Sequence, residues 1–358
     1  MKKPKILFMV PYPIGNAPSQ RFRVELFEPY LKEAGFSYEI APFMDATTWK
    51  HLYKQGSLLQ KAWGIAKGYL KRIKNVLIDV HGYDYIFVHR EAAPLGPPVF
   101  EWIIARLWGK KMIFDFDDAI WIPNTSNENS IAARLKCFWK TKHIIKWSYK
   151  IAAGNDYLSK YALQYNSEVV LMPTCVDMER MHNGTKAHTN HKPIVGWTGS
   201  HSTLPYLDNI ISVINALQAK HDFTFLVIAD KNPELPLKSF QFVPWNAATE
   251  IEDLLRMDIG IMPLKADAWS EGKCGFKLIQ YLSLAIPALA SPVGVNSVII
   301  QQGENGYLCN SEEEWKNHLE ELIANTSKRK QMGEVGQQLI LKNYSTQSQH
   351  TTFLQLFS

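Results

Sequence analysis

Cysteine is scarce: Cys137, Cys175, Cys274 and Cys309 are the only four in 358 residues, and they lie far apart with no C-x-x-C spacing and no close histidine. Neither a disulfide framework nor a zinc site is indicated, and a reducing cytoplasm fits best. Long apolar runs are also missing. The first, ILFMVPYPIG, is cut by prolines, follows only three basic residues and has no small-residue cleavage site, so it reads as a first strand and not as an anchor or leader. No G-x-G-x-x-G fingerprint follows that strand, whose loop runs P-Y-P-I-G-N-A-P, and this argues against a dehydrogenase. Internal repeats and low-complexity tracts are absent as well.

What is present is a globular composition, 46% hydrophobic and 20% charged, on a chain longer than one core usually supports, so two domains are expected. Apolar runs of strand length recur between helical stretches, as parallel strands buried on both faces by crossover helices would require. They are KILFMVP, YEIAPFM, DYIFVHR, KMIFDFDD, KIAAGND and EVVLMPT, then PIVGWTGS, FTFLVIAD, QFVPW, DIGIMPL, PALASP and GYLC. The polar stretch CVDMERMHNGTKAHTNHKP between the two sets reads as a linker. The expected division is a Rossmann-like domain over 1–175, a linker over 176–192, a second Rossmann-like domain over 193–335 and a helical tail over 336–358 that packs back on the first domain.

Acid is missing from two segments, and this skews the charge. Residues 1–172 carry 24 Lys and Arg against 15 Asp and Glu, a net of +9, while the remainder carries 15 against 19, a net of −4. Segment 49–75 holds seven basic residues and no acid, interleaved with Trp49, Tyr53, Trp63 and Tyr69. Segment 134–150 holds six and no acid, with Trp139 and Trp147. Each could be an amphipathic helix on an anionic bilayer, which would place the protein on the inner face of the cell membrane, or a solvated basic face with its aromatics turned inward. No nucleic-acid motif accompanies the charge, so no nucleic-acid partner is expected.

Ligands of such sheets bind beyond the carboxyl ends of the strands. The most informative stretch there is EGKCGFKLIQYLSLA, between two apolar runs. Gly272 and Gly275 suit a tight turn, and a helix is predicted from about Gly275 with Phe276 in its first turn. Apolar residues surround most of that helix. Lys277, Gln280 and Ser283 instead recur every third residue and form one polar strip, which demands a polar partner or a cleft. Unpaired N–H groups at the helix start, together with Lys273 and Lys277, suit a phosphate seat. A capped helix with surface lysines is the plainer reading.

The run EGKCGFKLIQYLSLAIPALASPVGVN, followed by GENGYLC, resembles the donor motif of retaining glycosyltransferases of family 4. PTCVD resembles that family's P-N-G-V-D, and SQRFRVELFEPYLKEAGF its first loop and helix. The resemblance implies the GT-B fold, an α/β architecture of two Rossmann-like domains whose parallel sheets face each other across a cleft. It implies transfer of a sugar from a UDP- or GDP-sugar or similar nucleotide-diphosphate donor to a glycan or lipid-linked glycan in cell-envelope polysaccharide synthesis, with no metal and no cofactor. Glu271 would touch the donor sugar and Gln280 the ribose, with Trp245 at the base and Gly199 and Ser200 at the diphosphate. Gly15, Arg21 and Arg23 would border acceptor or phosphates, and His89 and Asp118 would meet the reacting sugar. Two departures stand out: Gln280 replaces the family's second Glu, nine and not eight positions after Glu271, and GWTGSHSTLPYL lacks the family's Arg and Lys.

Two further clusters end strands of the first half. FVHREAAPLGPP places His89, Arg90 and Glu91 together, as a strand-end ion pair or a site. FDFDDAIW places Asp115 and Asp117 on one face by period two and Asp118 on the other. The latter stretch admits a metal-holding D-x-D, a haloacid-dehalogenase-like phosphatase with Asp115 as nucleophile, or carboxylates for sugar hydroxyls; Arg90 and Asp117 are taken with the acceptor or phosphates under the third reading. A non-catalytic nucleotide-sugar-binding protein is the remaining alternative.

Overall fold

A computed structural model of the chain describes residues 3–52, 56, 58–123 and 135–358. The chain forms two compact units, one of residues 1–174 with 350–358 and the other of 175–349. Each is an α/β layer structure on its own parallel sheet of six strands, and all twelve apolar runs are strands.

The first sheet consists of β1 (Lys5–Val10), β2 (Ser37–Pro42), β3 (Tyr85–His89), β4 (Lys111–Phe116), β5 (Lys150–Ala153) and β6 (Val169–Leu171), in the order β2-β1-β3-β4-β5-β6. β3 is buried at every position and β1 and β4 at all but their first, as strands covered on both faces must be. Phe353 stacks on Phe27 at 4.2 Å between ring centres and lies 6.0 Å from Phe87, so the segment 350–358 completes this core. The strand order reverses between β1 and β3, which opens a crevice at their carboxyl ends.

The second sheet consists of β7 (Ile194–Gly199), β8 (Thr224–Ala229), β9 (Phe240–Pro244), β10 (Ile259–Met262), β11 (Ala288–Ala290) and β12 (Gly306–Leu308), in the order β12-β11-β10-β7-β8-β9. That is the doubly wound dinucleotide-fold order, with its switch point between β7 and β10. The predicted helix follows β10 as Phe276–Ser283. Gly333 of the helix Thr326–Asn343 has no room for a β-carbon, which would lie 2.0 Å from the Ala285 carbonyl oxygen. A second glycine one turn on, Gly336, leaves room for the Leu282 side chain, 2.6 Å from where a β-carbon would lie, so this helix packs closely on the end of Phe276–Ser283.

The segment 176–192 is the stretch that its polar composition marked as a linker. It belongs to the second unit, where Lys186 and His188 are buried on Asp258 at 3.2 and 3.6 Å, and its burial is of charged groups that apolar periodicity does not register. The tail region also divides, because Thr326–Asn343 lies in the second unit and 350–358 in the first.

Candidate active site

In the second unit the carboxyl ends of β7 and β10 meet the helix Phe276–Ser283 at the switch point. Gly275 precedes that helix at φ 67°, a left-handed conformation that favours glycine, and a β-carbon there would sit 2.4 Å from Ile299 Cδ1. The helix is pinned by Tyr281, buried at its centre, whose hydroxyl accepts from Thr198 N–H of β7 at 2.9 Å and points to the Ile261 carbonyl of β10 at 3.4 Å. Sequence and packing thus place one helix start beside the switch point.

The polar strip on that helix meets definite partners. Lys277 lies with its ammonium 5.4 Å from the centre of the Trp197 ring. Gln280, 2% exposed, donates through Nε2 to Glu250 Oε1 at 3.2 Å, and Trp245 Nε1 donates to the same oxygen at 3.3 Å. Ser283 hydrogen-bonds back to the Gln280 carbonyl at 2.8 Å. A carboxylate therefore stands against Gln280, supplied from the start of the helix Glu250–Leu254 after β9. Sequence reading passed over Glu250; the rule that ligands gather after strand ends would have selected it, because EIEDL opens six residues beyond β9.

Glu271 is half-buried and closes the short helix Ala268–Glu271, which Asp267 caps by accepting from Ser270 N–H at 2.7 Å. Lys273 sits 5.7 Å from the Trp269 ring and 6.0 Å from the Tyr206 ring. Gly199 ends β7 where a β-carbon would collide with Trp197 at 2.3 Å. Ser200 caps the 3-10 helix His201–Asn209 in a reciprocal box with Thr203. His201 donates its backbone N–H to Asp230 at 2.6 Å, and its ring Nδ1 lies 2.5 Å from the other oxygen of the same carboxylate.

The first unit gathers a second set of groups at the ends of β3 and β4. His89, fully buried, has Nδ1 2.7 Å from Asp115 Oδ2 and Nε2 2.8 Å from Ser19 Oγ. Asp115 and Ser19 thus hold the two ring nitrogens of His89 between them. Asp115 is also clamped by Arg23, whose guanidinium donates to both carboxylate oxygens and to the Met172 carbonyl. Both Arg21 and Arg23 are buried, and the Arg21 guanidinium lies 5.0 Å from the centre of the Phe22 ring.

Arg90 holds φ at 63°, unusual for a residue with a β-carbon, and reaches Asp117 at 3.2 Å and Asp118 at 3.0 Å. Burial alone would raise the Asp117 carboxyl, yet the net displacement is downward because Arg90 foremost, then His89, Ser19 and Arg23, favour the anion. The same two carboxylates raise the Arg90 guanidinium against its own burial. The alternation expected of Asp115 and Asp117 stops at the strand end, Phe116: Asp115 points to Arg23 and His89, while Asp117 joins Asp118 on Arg90. Asp115, 1% exposed and clamped on both oxygens, is closed to the nucleophilic role of the phosphatase alternative. Gly15, at φ 80°, donates its N–H to Glu25 at 2.9 Å and has open space where a side chain would be. Ser19 is a further member that the sequence reading missed.

The family model described as glycosyl transferases group 1 matches residues 185–339. The matched stretch lies within the second unit. It contains β7 to β12, the Gly275 helix start, Trp245, Glu250 and Glu271. No curated protein sequence matches the chain. Among solved structures, a sucrose-phosphate synthase from Thermosynechococcus elongatus is similar over 99% of this chain and 98% of its own at 12% identity and a TM-score of 0.69. A glycosyltransferase from Rickettsia africae is similar over 100% of this chain and 98% of its own at 16% identity and a TM-score of 0.68. Anabaena HepE, solved with UDP and glucose, is similar over 98% of both chains at 15% identity and a TM-score of 0.65. The fold is thus that of the two-unit, GT-B type of glycosyltransferase.

Proposed function

We propose that the protein is a retaining, metal-independent hexosyltransferase that moves a sugar from a nucleotide-diphosphate donor to a glycan or lipid-linked glycan, in the cytoplasm, as a step of cell-envelope polysaccharide synthesis. The observation that carries the reading is the Gly275 helix start at the β7/β10 switch point, flanked by Lys273 and Lys277, inside the stretch that matches glycosyl transferases group 1. HepE, named with UDP and with glucose, supports a nucleotide sugar as donor.

In this reading the second unit binds the donor. The N–H groups of the helix start and the two lysines take the diphosphate, Trp245 stacks on the base, and Gln280 backed by Glu250 takes the ribose hydroxyls. As the bond from the anomeric carbon to the diphosphate oxygen breaks, its electron pair leaves with the diphosphate, and the same N–H groups and lysines stabilise that charge. The acceptor oxygen bonds the anomeric carbon on the face the leaving group vacates, and its proton passes to a diphosphate oxygen. Glu271 orients the donor sugar. In the first unit the Arg90, Asp117 and Asp118 cluster is the candidate for sugar hydroxyls, with His89 held on Ser19 and Asp115 behind it.

A melting-temperature panel of UDP-, GDP-, ADP- and CMP-sugars tests donor binding, because a ligand selective for the folded state stabilises it by mass action. One donor class should raise the melting temperature and then support turnover with the anomeric configuration kept in the product. A protein that no nucleotide sugar stabilises refutes the reading; stabilisation without turnover on any acceptor would leave a binding protein.

A further inference from the structure

The first unit turns an apolar face outward that its fold does not use. The helix Leu58–Leu77 exposes Leu59, Trp63, Leu70, Ile73 and Leu77 at a spacing that forms one stripe. Its opposite face is inside: Gly64 and Gly68 press on Thr48 and Phe43, where β-carbons would come within 2.4 and 2.5 Å, and Arg72 is 1% exposed. Beside the stripe lie Lys67, Lys71 and Lys74, all exposed.

The stripe does not end with that helix. Tyr69 packs 6.1 Å from Phe100, and Trp108 Nε1 donates to the Val76 carbonyl at 3.0 Å, so the helical segments Val99–Trp102 and Ile103–Leu107 lie alongside. These segments expose Val99, Trp102 and Leu107 in their turn. Trp102 then shares a shallow apolar groove with Trp139, His143 and Trp147 on and before the third helix, Lys140–Trp147. Lys142 and Lys146 are exposed on that helix and Arg106 on the middle segment. The one acid on these helical segments, Glu101, is 2% exposed and accepts from Ala92 N–H, so it does not offset the outward charge. Of the neighbouring acids, Asp79 pairs with Lys74 and Asp45 faces Lys67 and Lys71, while Arg106, Lys142 and Lys146 meet neither.

We propose that this face docks flat on an anionic lipid bilayer, with Trp63, Trp102 and Trp139 entering the headgroup region and the lysines on either side pairing with lipid phosphates. The occupant follows from charge and chemistry. Tryptophans beside a rim whose basic residues outnumber its acids match an interface that is apolar in depth and anionic at its surface. No helix among the described residues is long and apolar enough to cross a membrane, so the face lies on the bilayer. The basic segments 49–75 and 134–150 were each legible as candidates; the structure adds the element between them, with Val99, Trp102 and Leu107, and makes a single surface. Of these segments, 53–55, 57 and 134 lie outside the described residues.

The test is co-sedimentation of the full chain with vesicles of phosphatidylcholine alone or with about a third phosphatidylglycerol, alongside the elution volume of the free protein. Binding should need the anionic lipid and should collapse in about 0.5 M salt, where the screening length is roughly 4 Å. Lys142→Gln and Lys146→Gln should each weaken binding by about fivefold, the worth of one basic residue at such a surface. The pair Trp102→Ser and Trp139→Ser should abolish binding and leave donor-induced stabilisation unchanged, which shows that the variant is folded. Equal binding to neutral vesicles, or unchanged binding by the tryptophan pair, overturns the proposal. A chain that ignores vesicles but elutes as a dimer, which the tryptophan pair dissociates, overturns it too and assigns the face to a second copy.

Discussion

Glu250 and Gln280 should behave as an exchangeable pair. Their side chains meet at 3.2 Å and both are nearly buried, so Gln280→Glu would set two carboxylates against each other. Unit charges about 4 Å apart at an effective dielectric of about 20 repel by roughly 4 kcal/mol. Part of that is relieved when one carboxyl keeps its proton. The raised pKa belongs to the folded state, so the folded state binds more protons and the variant loses stability as pH rises. Gln280→Glu should therefore melt well below the parent at pH 8 and recover much of the difference at pH 5.

The double variant Gln280→Glu with Glu250→Gln exchanges the two groups and should regain stability and donor binding at both pH values. Glu250→Gln alone keeps the volume and removes the charge, at a cost of about 1 to 2 kcal/mol in donor affinity, the difference between charged and neutral hydrogen bonds. That is roughly a 5- to 30-fold rise in dissociation constant. Melting curves and titration calorimetry on the four proteins form a double-mutant cycle. A Gln280→Glu variant as stable as the parent at pH 8, or a double variant no better than the singles, would refute the idea that the carboxylate of this site has moved to Glu250.

Lys277→Ala should weaken donor binding by at least about tenfold if its ammonium takes the diphosphate, given about 1.5 to 3 kcal/mol for a charge-assisted hydrogen bond; unchanged calorimetry removes Lys277 from the site. Chelation with EDTA should leave transfer intact, and a loss restored by magnesium or manganese would refute the metal-independent reading. Asp258 is displaced downward to about 2 from 3.8: burial opposes this, but His188, Asn190, Lys186 and the Ile194 N–H outweigh it. Its stabilising share is present above pH 3.8 and is lost as pH falls toward 2, so Asp258→Asn should flatten the melting profile across that window. Asp115→Asn breaks a buried ion pair and should cost about 3 to 5 kcal/mol in denaturant unfolding.

The strands were legible because each is a short apolar run, the inner ones β1, β3, β4 and β8 buried on both faces, and the Gly275 helix start was legible because Lys277, Gln280 and Ser283 interrupt an otherwise apolar helix. Partners across the chain were not. Nothing in the spacing of Arg23, His89 and Asp115 announces that they form one buried cluster, because β3 and β4 bring them together only through sheet register, which pairs His89 with Asp115. Glu250 was missed for the same reason: its role comes from Trp245 and Gln280, which lie 5 and 30 positions away. The burial of Lys186 and His188 on Asp258 left no trace in hydropathy because it is ionic.

The packing of Phe353 against Phe27 and Phe87 bears on the order of synthesis. A ribosome makes residues 1–174 first, then all of the second unit, and only afterwards the segment 350–358 that fills the core of the first. A nascent chain would normally fold from its amino-terminal unit onward. Here that unit emerges with an aromatic cavity open and must wait for roughly half of the polypeptide before it can close, so a chain stalled within the second unit would display an unfinished apolar surface to chaperones and proteases.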